Sequence, residues 1–146
     1  MVEKFAVGVL LLVVTSSIHA GAMILAIKTI AWTHAPRSWH VYRVSLVVII
    51  MSLAGFLEAI SWAMTYLLMG AIEGLEKAIY FAIVTYTTLG YGDITLDPQW
   101  QLLSAFSSIN GIIMFGWSTA IVLAAVQNIY FPHGIVASHD KSDHHE

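Results

Sequence analysis

Three long, nearly uninterrupted apolar stretches constrain this chain more than anything else in it. The first, Phe5 to Trp32, is broken only by His19 at its middle and Lys28 near its end; the second, Val44 to Met69, by the single charge of Glu58; the third, Leu102 to Tyr130, by no charge at all. Each exceeds the ~20 residues a helix needs to cross a hydrocarbon core of ~30 Å. Apolar side chains occupy the whole circumference of each, which points to spanning helices rather than amphipathic helices lying on a surface. Only 10% of the 146 residues are charged and 58% are apolar, whereas a soluble domain devotes about a quarter of its residues to charge. The expected fold class is an all-α membrane protein with one compact domain.

Lys4, a short apolar run and Ile18-His19-Ala20 loosely imitate a cleavable signal. The apolar run resumes at Gly21, however, and Ile18 is bulky for a cleavage site, so the first stretch reads as a retained helix. Cysteine is absent, which excludes disulfides and thiolate metal sites, and a net charge of −3 offers no basic surface for nucleic acid. No catalytic constellation is visible: Ser16, Ser17, Ser107 and Ser108 lack a base at a supporting spacing and read as helix-packing hydroxyls. The chain reads as a non-enzyme without a cofactor.

The segment between the second and third stretches differs. Glu73, Glu76 and Lys77 open it, an apolar and aromatic run from Ala78 to Tyr86 follows, and a glycine-rich stretch with Asp93 to Gln99 closes it. It is too short to cross a membrane twice as helix, and irregular backbone at membrane depth is tolerated only when buried in protein or lining a water-filled path. A short helix entering and an extended strand returning, a re-entrant loop, meets that condition. The connection from Thr33 to Arg43 holds Arg37 and Arg43, with His34 and His40 between, while the re-entrant region is mostly acidic. The positive-inside rule then puts the first connection and the tail in the cytoplasm, and the N-terminus and re-entrant loop outside. Trp32, Trp39 and Tyr42 suit the inner interface and Trp100 the outer one.

Within the loop, Thr85-Tyr86-Thr87-Thr88-Leu89-Gly90-Tyr91-Gly92-Asp93 resembles the signature of potassium channel pore loops. The resemblance extends over roughly Val44 to Tyr130, the outer helix, pore loop and inner helix of the KcsA-type two-transmembrane family. It implies a potassium-selective filter at Thr88, Leu89, Gly90, Tyr91 and Gly92, with potassium held at Thr88, Leu89, Gly90 and Tyr91 by backbone carbonyls that replace its hydration shell. Carbonyls of successive residues face one side only if the backbone alternates between ordinary and left-handed conformations, which Gly90 and Gly92 adopt without steric cost. Thr88 adds a hydroxyl oxygen, and Leu89 and Tyr91 are expected to turn their side chains away from the axis.

Further implied roles follow the family pattern. Thr87, Tyr80, Phe81 and Asp93 support the filter, Tyr80 and Phe81 as a cuff of aromatics and Asp93 as the aspartate just outside; Gly111 matches the inner-helix hinge, with Gly116 a second small residue. Ile112, Phe115, Thr119 and Leu123 share one face at helical spacing and are assigned to an inner cavity and constriction, plain helix packing being the alternative. The pore helix would point its partially negative C-terminal end, near Thr87, at the entering cation. Two departures stand out: Leu89 replaces the commoner valine, and Val84 sits where some members carry an acid bonded to the outer aspartate. The implied division is an extra N-terminal transmembrane helix over 1–32, a cytoplasmic basic loop over 33–43, a pore domain over 44–130 (outer helix 44–69, pore helix and filter 73–93, inner helix 100–130) and a cytoplasmic tail over 131–146.

One pore loop per chain, against the four a filter needs, implies a homotetramer of this chain with three identical subunits, set in the lipid bilayer of a prokaryotic plasma membrane. Rival readings are a non-selective cation channel of the same fold, a non-conducting accessory subunit, and a transporter built from related loops. The first two spans have no arginine in their interiors, which excludes an arginine-ladder voltage sensor, and the short tail leaves no room for a ligand-binding gating domain. Ionisable residues inside a membrane mark function or a structural pair. His19 and Glu58, at similar depth on antiparallel neighbours, are expected to pair, tying the extra helix to the rest or sensing pH. His133, His139, His144 and His145 read as part of a solvated tail.

Overall fold

The computed structural model describes residues 2–30 and 39–130. The expectations for His34, Arg37 and the tail histidines lie outside the described residues. Four helices follow in order: α1 (Val2–Ile30), α2 (His40–Leu68), α3 (Leu75–Tyr86) and α4 (Gln101–Tyr130). Three of them, α1, α2 and α4, are long and apolar enough to cross a membrane, and at 1.5 Å per residue each runs about 44 Å. The 12 residues of α3 reach about 18 Å, enough to enter a bilayer roughly to its middle but not to leave it. This is an all-α, multi-pass membrane architecture, and no strand forms among the described residues.

Contacts along the helices give their directions. Lys4 meets Gln99, Phe5 stacks edge-on with Phe106, Thr15 meets Asn110 and His19 meets Ser118, so α1 runs parallel to α4. His19 meets Glu58 while Ala26 packs with Val47 and Met51, so α2 runs antiparallel to both. Close approach is allowed by small side chains. Ala26 and Ala125 are fully buried at one end of the bundle, and Gly8 lies under the Phe106 ring, whose nearest carbons would stand 2.8 Å from any Cβ placed there. Helices in lipid gain nothing from excluding water and depend on such packing.

The helix ends explain where the short helix begins. After α2, Gly70 takes φ 68°, and Gly70 and Ala71 return their N–H groups to Leu67 and Tyr66 carbonyls, a left-handed cap that ends the helix. Gly74 (φ 92°) then turns the chain into α3. The start of α2 is at His40, four residues ahead of the expected outer-helix boundary at 44, so residues 40–43 of the expected basic loop are helical and Arg43 is buried. Several hydroxyls inside the helices are satisfied locally: those of Ser17, Ser52, Thr65 and Thr119 all bond the carbonyl four residues back, which hides polar atoms from hydrocarbon.

The core lies between α2, α3 and the first half of α4. Trp62, Tyr66, Phe81, Tyr86 and Leu103 are its large buried members, with Tyr66 edge-on to Phe81 at 5.2 Å. This cluster fixes α3 at the depth and tilt that place the segment after it.

Candidate functional site

Residues 88–92 leave α3 through an alternating backbone. Thr88 has φ 59°, Gly90 54° and Gly92 78°, so every second residue is left-handed. Glycine adopts that conformation without steric cost, but a β-branched residue there is strained. Thr88 is the one non-glycine residue with positive φ among those described. Two return bonds set its geometry: Thr88 N–H to the Thr85 carbonyl at 3.0 Å, and Gly90 N–H to the Val84 carbonyl at 3.1 Å. Left- and right-handed residues in alternation turn successive carbonyls toward one side, the arrangement a chain of cation ligands requires. Residues 87–93 are all exposed in the single chain.

Around this segment the expected aromatic pair divides. The Tyr80 hydroxyl donates to Asp93 Oδ2 at 2.7 Å, tying the Asp93 end of the segment to α3. Phe81, one residue on, is turned about 100° around the helix and packs into the core against Tyr66. It supports α3 rather than the 88–92 segment directly. Tyr80 thereby holds the aspartate from one turn before Val84, which is buried and apolar. That bond, first, and then desolvation and the Asp93 charge raise the Tyr80 phenol above its ordinary value. Tyr91 remains 67% exposed, so its ring is not covered by its own chain.

At the opposite end, where the segment leaves α3, Thr87 donates its hydroxyl to the Ile83 carbonyl at 2.8 Å. Thr87, Phe115, Thr119 and Leu123 line a cavity of about 610 Å³ between α2 and α4, beneath the end of α3. Its walls are mostly carbon, and Ile112 lies outside it, exposed. Gly116 faces open space, but Gly111 does not: a Cβ there would collide with the Tyr86 carbonyl oxygen. Gly111 therefore acts in this structure as the spot where the end of α3 meets the backbone of α4, and α4 continues unbroken through it. Ser108 adds a bond from α4 to the Thr85 carbonyl at 3.1 Å.

Behind the end of α3, the structure places His19 Nδ1 2.8 Å from Glu58 Oε1, both fully buried. Three partners of this region escape sequence reasoning. Tyr86 donates its hydroxyl to Glu58 Oε2, Ser118 Oγ lies 3.3 Å from His19 Nε2, and Asn110 Nδ2 donates to Thr15 Oγ1 at 2.7 Å. Polar residues at mid-span are the only signal the sequence carries for them. Lys4 is a fourth: its ammonium donates to the Gln99 carbonyl at 2.6 Å and sits 4.1 Å over the Trp100 ring.

Comparison with known proteins agrees with this architecture at the level of the family. The model of a family described as ion channel matches residues 40–128, the span from the start of α2 almost to the end of α4. A search of curated proteins and a search of solved structures each return no match.

Proposed function

The chain belongs to the ion channel family, and from that premise we propose that it is one subunit of a homotetrameric, potassium-selective channel. Four copies surround an axis, and ions pass in single file between rings of backbone carbonyls from Thr88, Leu89, Gly90 and Tyr91. The observation that carries the reading is the left-handed φ at Thr88, Gly90 and Gly92, alternating along an exposed segment that leaves the C-terminal end of a short helix. The helix supplies partial negative charge where the ion sheds water, without any acidic side chain.

Three further features support the assembly. Leu89 and Tyr91 are 55% and 67% exposed in one chain, and large apolar groups at that position call for cover from neighbouring copies. Thr88 holds a conformation that costs about 1–2 kcal/mol for a residue with a Cβ, an expenditure that fits a site where backbone geometry is the functional element. The Tyr80–Asp93 bond fixes the outer end of the segment to α3. In this reading the Lys4 and Trp100 end faces outside, the α2 start faces the cytoplasm, and the membrane is a prokaryotic plasma membrane.

Reconstitution in planar bilayers tests the proposal. With a potassium gradient opposed to a sodium gradient, the reversal potential is expected near the potassium equilibrium value, with block by barium. A reversal near zero favours the non-selective channel, and silence in every condition favours the accessory subunit.

A further inference from the structure

One buried cluster draws a side chain from each of the four helices at a place where conduction requires no ionisable group, its carboxylate bonded to α1 and α3 and its imidazole to α4. Glu58 of α2 faces His19 of α1 through one oxygen and Tyr86 of α3 through the other. His19 in turn reaches Ser118 of α4 through Nε2, and the Trp117 ring tilts against the imidazole at 5.0 Å between centroids. His19 and Glu58 are fully buried. Glu58 from α2 and Tyr86 from α3 are the titratable groups facing this cluster; α4 contributes a hydroxyl and an indole, and carries no acidic or basic residue.

An ion pair is a poor adhesive here. Apolar side chains of the same volume would join α1 to α2 at lower desolvation cost. What they lack is an exchangeable proton. With a neutral imidazole, Nδ1–H donates to Glu58 and Nε2 accepts from Ser118; with one proton more, both ring nitrogens donate and Ser118 accepts. A hydroxyl serves either state, so the cluster stays hydrogen-bonded while its charge changes by one. His19, Tyr86 and Ser118 all line the cavity beneath α3, which connects the cluster to the space around Thr87.

The output of the cluster is Tyr86, the last residue of α3. Its side chain ends on Glu58, its carbonyl abuts Gly111, and Thr88 with its left-handed backbone follows two residues later. We propose that His19, Glu58 and Tyr86 form a one-proton switch that positions the last turn of α3 and so sets conduction, a proposal that rests on the channel reading above. Glu58 without the extra proton gives its full charge to the Tyr86 hydroxyl, and a charge-assisted bond holds that turn firmly. Protonation divides that charge with an imidazolium and loosens the hold. His19 and Glu58 act through Tyr86 and are positioning residues.

The test records current through the reconstituted full chain as the bath is stepped between about pH 5 and 8. Wild-type open probability is expected to fall about fivefold or more on acidification, a typical coupling, along a one-proton curve. H19Q and E58Q should each flatten that curve, and Y86F should flatten it while Trp117 emission, read as the difference from W117F, still titrates. The reversal potential in the same records reports selectivity separately, so a non-selective channel with the pH curve intact leaves the switch standing. If the protein passes no current, Trp117 emission decides: titration in wild type that disappears in H19Q supports the switch. A flat wild-type emission curve, a flat current curve, or a curve unchanged in H19Q overturns it. E58Q removes the charge and leaves one oxygen to accept, its amide N–H being able to donate to the Tyr86 hydroxyl oxygen in place of the second accepted bond; should it fail to fold, the comparison of H19Q with wild type is sufficient by itself.

Discussion

Replacing Gly111 by alanine measures how tightly the end of α3 is held to α4. A Cβ at this position would run into the Tyr86 carbonyl oxygen, with the carbonyl carbon at 2.8 Å and Cα at 3.4 Å behind it. Unstrained carbon contacts lie at about 3.5–4.0 Å. All three obstructing atoms are backbone, so no rotamer change makes room, and the two helices must part by roughly an ångström. A radial gap of about 0.5–1 Å already forfeits a quarter to a half of each dispersion contact, and overpacking typically costs about 1–3 kcal/mol. Alanine's better helix propensity returns about 1 kcal/mol, which leaves a net loss of up to about 2 kcal/mol per chain. Gly116 is the control within the same helix: nothing stands within 4 Å of its Cβ position, so G116A is expected to be neutral or stabilising by up to about 1 kcal/mol. Titration of the protein in mixed micelles with a denaturing detergent, followed by circular dichroism, gives both differences. Equal midpoints for G111A and G116A would refute the close-approach argument. Normal folding of G111A with altered opening would instead support a hinge at Gly111.

Two other expectations follow from single bonds. Tyr80 donates to Asp93, and its phenol is raised above the ordinary 10.0 chiefly by that bond; the bond's contribution is therefore fully present below pH 10.0 and lost as pH rises through the raised value. Ultraviolet titration of wild type minus Y80F should show phenolate forming later than for a free tyrosine, and an ordinary curve would mean that the bond does not hold Asp93. The Asn110–Thr15 bond at 2.7 Å predicts a coupling of about 0.6 kcal/mol, and at most about 1.7, in a double-mutant cycle with T15V and N110L; a coupling of zero would show that the bond does not form in the membrane.

Hydropathy makes the three spans legible because lipid solvation acts on every residue of a helix. The short helix is legible from the apolar run ending at Tyr86, and the left-handed positions from Gly90 and Gly92. Thr88 is not, since nothing in a threonine announces a backbone conformation imposed by the bonds around it. Phe81 shows a different limit: adjacent helical residues point in different directions, so treating Tyr80 and Phe81 as a pair places one of them on the wrong side. The boundary at His40 is blurred because polar and aromatic residues continue a helix through an interface as readily as they form a connection. His19 and Glu58 stand out in the sequence as ionisable groups in apolar runs, whereas their partners Tyr86 and Ser118 are ordinary residues for a membrane helix, and only the fold reveals them.

The spacing of the α1 contacts along the chain has a consequence for how the protein is made. His19 finds Glu58 only 39 residues downstream, whereas its contact with Ser118 and the Thr15–Asn110 bond span 99 and 95 residues. Chains emerge from the ribosome N-terminus first. The first hairpin is therefore competent to close its buried hydrogen bond while α4 is still unsynthesised. Thr15 and the N-terminal half of α1 wait in the bilayer until the last span is released, Thr15 sheltering its hydroxyl on its own helix through the Leu11 carbonyl. A nascent chain arrested before α4 would carry a settled pair of helices with one open flank, and final docking of α4 would complete the protein from that side.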